Sequence, residues 1–440
     1  MILGHSKSLN FQKDPMVFLK WRSECKSDIY GFNMSIMPRV VVFDPELITV
    51  IGTSKYTQDF VKSLEAQIVL KDVSNGLLMQ EGAVHSKARN LFLPIFSIDN
   101  LVKMQPWFNK FSHDLVAKLK TVNPVNYEIA PAIAACTLDI ISKVAFNYDM
   151  NSLKGGSDIS NTFERLLVIH EFTPSLMLKF VFPLSAQLLS PFEFSHKKDL
   201  HEINSCIDSV IKERIAHPIK GNDILSKCLE SVVGKPSKEL LLELRGQIFT
   251  QMGAGHETTS TALSWAIYVL SQNLEIQLKL RKSVTHLPVD PSWDDIHSIK
   301  YLDNFTNELL RLYSPVSTTN RRATKAFTFK NYSFPKDTTF LIQLQALHLD
   351  EKLFPDPLSF NPDRWDQMPD SGNAYKFIPF WSGFRGCIGK HLALAEFKTI
   401  LSIVIKDLEF SMAANHPAVE RILRITQRPS KLLINIRTLS

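Results

Sequence analysis

The chain has 440 residues, 45% of them hydrophobic and 21% charged, with a formal net charge of +6. Its lysines and arginines are scattered, which gives no case for nucleic acid and leaves an acidic protein partner or an anionic membrane surface. The five cysteines (25, 136, 206, 228 and 387) show no CxxC and no close histidine pairing, which argues against a disulfide framework or a zinc site and for a reducing compartment.

The first segment, MILGHSKSLNFQKDP, has no apolar run long enough for a signal peptide or a membrane span, so the chain as given is expected to be soluble or peripheral to a membrane. IMPRVVVFDP (36–45) is a β-branched run closed by Asp-Pro and predicts a strand within a β-containing part over about 30–60. A helical body follows over 80–312. In EGAVHSKARNLFLPIFS, His85 and Arg89 are one helical turn apart, so both can reach one anion. Residues 166–200 are apolar, Phe-rich and broken by proline, compatible with a helix-pair core or with a pocket roof.

LELRGQIFTQMGAGHETTSTALSWAIYVLSQN (242–273) predicts a helix of roughly 48 Å. Gly253, Ala254 and Gly255 interrupt it, and each glycine costs roughly 1 kcal/mol against alanine. A polar cluster, His256 to Thr261, follows. Together they predict a local kink that holds water, although a solvated face packed through small residues fits as well. Glu308 and Arg311 share one helical face at i, i+3. Residues 313–379 read as short β-rich pieces and then a Pro-rich loop, and 380–409 as a loop and a last long helix. No linker divides the chain, so one domain over 1–440 is expected.

In FWSGFRGCIGKHLALAEFK (380–398), Cys387 lies at a loop-to-helix junction. Leu392, Ala395, Leu401 and Val404 mark the apolar stripe of the helix. A thiol at a helix N-terminus is favoured as thiolate, and Gly383, Gly386 and Gly389 allow backbone and a flat ligand to approach it closely. With Arg385 two residues upstream, the loop suits a thiolate that ligates something bulky. A buried structural cysteine is the alternative, and it is the reading kept for the other four.

Phe380, Gly383, Arg385, Cys387 and Gly389 match F-x-x-G-x-R-x-C-x-G, and the loop resembles the haem-ligand signature of the cytochrome P450 family. The resemblance implies a mainly α fold with a small β portion, a single haem-binding domain with a long central helix over the haem, and Cys387 as the axial thiolate of haem iron. Ala254-Gly255-His256-Glu257-Thr258-Thr259 looks like the family's distal motif. That likeness makes Glu257 and Thr258 an acid–alcohol pair for proton delivery and packs Ala254 over the haem face. Glu308, Arg311 and Arg364 are similar to a buried network that supports the ligand loop. His85, Arg89, Arg321 and Arg385 would hold the haem propionates, with adjacent Arg322 competing for the role of Arg321.

The implied cofactor is haem b, with NAD(P)H electrons supplied indirectly by an NADPH-dependent flavoprotein reductase or a ferredoxin. Lys87, Lys376, Lys390 and Lys398 are the candidate steering charges for that donor. The implied activity is a haem-thiolate monooxygenase acting on a small apolar substrate, with Ser317, Thr318 and Thr319 as possible orienting groups. The alternatives are an isomerase or dehydratase working on an oxygenated lipid without O2, and a non-catalytic haem-binding protein. Segment 166–200 is the expected membrane contact. The start of the chain is similar to the region after the hinge of microsomal members, so the cytosolic face of the endoplasmic reticulum is expected if an anchor precedes it, and the cytoplasm otherwise.

Overall fold

The β-branched run in PRVVV forms an interior strand of a five-stranded sheet. The computed structural model describes residues 17–34, 37–53, 58–69, 75–155, 159–166, 194–230, 236–368 and 376–439. In chain order, the elements that position the site are β1 (Ile29–Met34), β2 (Met37–Val42), α1 (Pro45–Gly52), β3 (Phe60–Val61), α2 (Gly82–Phe92), α3 (Ile98–Thr121), α4 (Ala130–Phe146), α5 (Lys238–Gln272), α6 (Lys300–Leu312), β4 (Thr319–Ala323), β5 (Thr339–Ile342), α7 (Leu344–His348), α8 (Lys390–Asp407), β6 (Arg421–Leu423) and β7 (Gln427–Pro429). The fold is mainly α with a small β portion.

The five-stranded sheet has the order β1-β2-β5-β4-β3. β2 and β5 run parallel, with Val41 opposite Leu341, while β5 pairs antiparallel with β4 and β4 with β3. Val41 and Val42 are fully buried. Asp-Pro ends β2 and starts α1: the Asp44 side chain accepts from the Glu46 and Leu47 amides, and Pro45, with no N–H to satisfy, opens the helix.

α4 is apolar almost all round and almost wholly buried, as a helix inside a core must be. It packs on α5 at Gly255, where a Cβ would come within 2.6 Å of Ile141 Cγ1. α3 and α8 complete the main core with these two helices. α5 is capped by the Ser237 side chain, which accepts from the Leu240 amide, and its 35 residues span about 52 Å. Gly253, Ala254 and Gly255 all lie within this one helix. Gly255 packs on Ile141 of α4 and Gly253 on Phe163, and these contacts offset the intrinsic cost of the two glycines.

Candidate functional site

The Cys387 loop is shaped by its own backbone. The Cys387 amide donates to the Phe380 carbonyl (2.9 Å) and the Gly386 amide to the Gly383 carbonyl (3.0 Å). Gly383 has φ +65°, and a Cβ there would stand 1.8 Å from the Gly52 carbonyl oxygen, so only glycine lets the loop rest against the end of α1. The Gly389 amide points at the Cys387 sulfur. The residue is accessible at its surface. A helix N-terminus favours thiolate, yet this thiol is pushed up. Desolvation by the surrounding protein outweighs the opposing pull of the Gly389 N–H, Arg89 and Lys390. A bound cation that displaces the proton would settle it as thiolate.

Cationic side chains gather beside this loop. Arg89 on α2 donates from Nη1 to the Gly386 carbonyl (2.9 Å), tying that helix to the residue before Cys387. His85, one turn earlier, is 3% exposed, and its Nδ1 has no partner. The imidazole stands edge-on to Phe384, with ring centroids 5.0 Å apart. Burial, then Arg89, Lys62 and Arg321, lower its pKa to about 4, so it is neutral at pH 7. Strand alternation puts Arg321 and Arg322 on opposite faces. Arg321 turns inward and is 4% exposed, whereas Arg322 turns outward to an ion pair with Asp337. Arg321 donates to the Asn320 carbonyl (2.6 Å), and burial draws its pKa down to about 10. Arg385 donates to the Gln80 carbonyl (2.8 Å) and pairs with Glu81.

Sequence reasoning missed a fifth member, Lys62. Val61 pairs with Arg322, so the next residue on β3's path stands opposite Arg321 and on its face. The Lys62 amide donates to Glu81 (2.8 Å), while the ammonium is pushed well down by burial and by Arg321 and Arg385. No salt bridge involves that ammonium among the described residues. Arg89, Arg321, Arg385 and Lys62 thus join an unpartnered imidazole nitrogen, and among the described residues only Arg385 of these side chains is paired with a carboxylate, that of Glu81. Such a donor set fits a flat group that brings two carboxylates and a thiophilic metal.

Glu257 and Thr258 sit on α5, but about 100° apart around it. Thr258 donates back to the Ala254 carbonyl (2.9 Å), and both residues reach the surface in a helix otherwise largely buried here. Glu257 is buried on another face, where it accepts from Thr426 Oγ1 (2.7 Å). No Glu257–Thr258 hydrogen bond joins the pair expected from the distal motif. Thr426 lies in the β6–β7 turn, and nothing in its local sequence marks it. Glu396 on α8 was also not singled out; it bonds Thr259, and burial pushes its carboxyl well up.

Glu308, Arg311 and Arg364 do come together. The Glu308 carboxylate accepts from Arg311 Nε and Nη2, Arg364 Nε and the Asn361 amide (each 2.9 Å), and from Trp365 Nε1 (3.0 Å). Arg311 also donates to the carbonyls of His348, Pro357 and Ser359. His348, another residue sequence reasoning missed, carries the network on: its Nε2 accepts from the Ile378 amide (3.0 Å), at the entry to the Cys387 loop.

Of the four candidate steering lysines, Lys87 and Lys390 are exposed and Lys376 is partly so. Lys398 is a correction: it lies on the buried side of α8 and pairs with Asp303 (2.5 Å). Thr318 spends its hydroxyl on the Ile342 carbonyl (3.1 Å). Of the segment 166–200, residues 167–193 lie outside the described residues. Among the described residues no helix is long and apolar enough to cross a membrane.

The family model described as Cytochrome P450 matches residues 1–435 of this chain. Among curated proteins, the chain is similar to Cytochrome P450 4c21 of Blattella germanica, 28% identical over 85% of this chain and 78% of that protein. It is also similar to Cytochrome P450 4F11 of Homo sapiens, 28% identical over 79% and 70% respectively. Cytochrome P450 3A7 of Homo sapiens is 27% identical over 87% of this chain and 78% of its own length.

Proposed function

The chain belongs to the cytochrome P450 family, and on that premise we propose that Cys387 is its haem-thiolate ligand and that its substrate is a small apolar molecule. It is an oxidoreductase, a monooxygenase that uses haem b and receives NAD(P)H electrons from a redox partner. When bound, haem activates dioxygen so that one oxygen atom enters the substrate. The observation that carries the ligand assignment is the Arg89–Gly386 bond, which fixes the Cys387 loop to the cationic cluster that suits the two haem carboxylates.

In this reading Arg89, Arg321, Arg385 and His85 hold those carboxylates, with Lys62 beside them. Phe380 and Gly389 shape the loop around the sulfur, and the Gly389 amide favours the thiolate. Ala254, small and accessible, leaves a flat ring room beside α5. Glu257 is the acid that, with Thr258, relays protons to the oxygen chemistry. Thr258 keeps two hydroxyl lone pairs with which to orient water, since its own proton is spent on Ala254. Glu308, Arg311 and Arg364 support the loop. The apolar character of 166–200 supports both an apolar substrate and a membrane contact at the endoplasmic reticulum. Exposed Lys87 and Lys390 suit an acidic electron donor, either a flavoprotein reductase or a ferredoxin. The whole of 1–440 is read as one haem-binding domain.

The test is the carbon monoxide difference spectrum of the reduced protein, for wild type and Cys387→Ser. A red-shifted Soret band in wild type, lost in the variant, supports the assignment. Haem bound by wild type without that shift, or a shift that survives the substitution, removes Cys387 as the ligand.

A further inference from the structure

Trp381, in the loop that leads to Cys387, carries two local costs. Its backbone lies in the left-handed region at φ +60°, where a bulky residue is strained. Its indole Nε1 is buried with no hydrogen-bond partner among the described residues. Glycine at this position would carry neither cost, so the reason for tryptophan lies in what its ring touches. One edge rests on the end of α1, where a Cβ added to Gly52 would stand 3.4 Å from Trp381 Cζ2. A second neighbour is Arg321, whose guanidinium carbon is 5.8 Å from the ring centroid. The hydrogen bonds that Arg321 makes among the described residues, to the Asn320 carbonyl (2.6 Å) and to Thr319 Oγ1 (3.3 Å), both leave from Nη1. Its other N–H groups are kept for an anion.

We propose that Trp381 is a positioning residue for Arg321: its ring face steadies the guanidinium that takes a haem carboxylate. The inference rests on the reading of Arg321 as part of the carboxylate grip. A guanidinium in a dry site gains from an aromatic face, because the negative quadrupole of the ring attracts it without occupying its N–H groups. An acidic side chain in the same place would bind Arg321 outright and compete with the haem carboxylate. Trp381 also belongs to the loop that the Arg89–Gly386 bond ties to α2. Two cations of the cluster, one on β4 and one on α2, thus hold this loop, which keeps the carboxylate grip in register with the Cys387 sulfur.

The experiment is haem transfer from the loaded ferric protein to excess apomyoglobin, a rate that reads the grip and not turnover. It compares wild type, Trp381→Gly, Trp381→Leu, Trp381→Phe, Arg321→Gln and the double variant Trp381→Leu with Arg321→Gln, each checked for folding by circular dichroism. Trp381→Gly relieves the backbone and removes the ring, whereas Trp381→Leu keeps apolar bulk without a π face. Both should speed transfer by roughly tenfold, within the range that a desolvated cation–π contact supplies. Trp381→Phe keeps an aromatic face and should stay within about threefold of wild type. In the Arg321→Gln background Trp381→Leu should add nothing, because the contact it removes is already gone. If Trp381→Leu is as slow as wild type, or still speeds transfer without Arg321, the indole only fills the space beside Gly52 and the inference falls. If Arg321→Gln itself releases haem no faster than wild type, the carboxylate role of Arg321 falls and the inference with it.

Discussion

Lys62 shows what one side chain can add to a charged cluster. It faces Arg321 across the strand pairing, and burial, then Arg321 and Arg385, push its ammonium well down. Like charges so placed are tolerable in a fold that brings an anion between them. Lys62→Met should therefore raise the rate of haem transfer to excess apomyoglobin by roughly tenfold, the worth of one charge-assisted hydrogen bond. Lys62→Arg should hold the haem as wild type does. Arg321→Gln serves as the reference, since its loss must speed transfer if the cluster grips haem carboxylates at all. A fast Arg321→Gln with an unchanged Lys62→Met would leave Lys62 out of the grip. Arg321 was legible from its strand. Lys62 was not, because its role comes from a strand partner more than 250 residues away.

Between elements, the Glu308 network decides how the loops before Cys387 are held. Glu308 and Arg311 have side chains with no exposed surface, and Arg364 is 11% exposed. Five donors satisfy one carboxylate, so no lone pair of consequence is left unmet. Removing the charge strands two buried guanidinium groups, which costs about 3–5 kcal/mol in comparable buried pairs. Glu308→Gln should lower the urea unfolding midpoint accordingly, followed by circular dichroism. Lys300→Ala, which breaks the exposed pair with Asp366, should shift it by about 1 kcal/mol or less. Equal shifts in the two variants would show that Glu308 is not a structural hub. The i, i+3 spacing made Glu308 and Arg311 legible, as the i, i+4 spacing did for His85 and Arg89. Spacing within one helix survives folding unchanged. Glu257 and Thr258 show the limit of that logic: adjacent in sequence, they take different faces, and the partner that claims Glu257 comes from a distant hairpin.

Across the whole molecule, His348 joins parts of the chain that no local pattern connects. Arg311 donates to its carbonyl from α6 (3.1 Å), the Ile378 amide donates to its ring (3.0 Å), and Phe377 lies against it with centroids 5.2 Å apart. The ring is fully buried, and burial with Arg311 nearby lowers its pKa to about 3. In the unfolded chain the same imidazole titrates near its ordinary value of about 6.5. Between those two values the unfolded state binds a proton that the folded state refuses, so stability falls as the pH falls. The contribution is complete above about pH 6.5 and declines by ~1.4 kcal/mol per pH unit toward about pH 3, below which the slope vanishes. His348→Gln keeps an acceptor for the Ile378 amide but has no proton to take up. Its unfolding free energy, measured by urea titration at a series of pH values, should be lower than that of wild type near neutrality and less steep by one proton below pH 6. Parallel slopes in the two proteins would mean that the ring already titrates normally in the fold. In that case acid would loosen the approach to Cys387 through other groups.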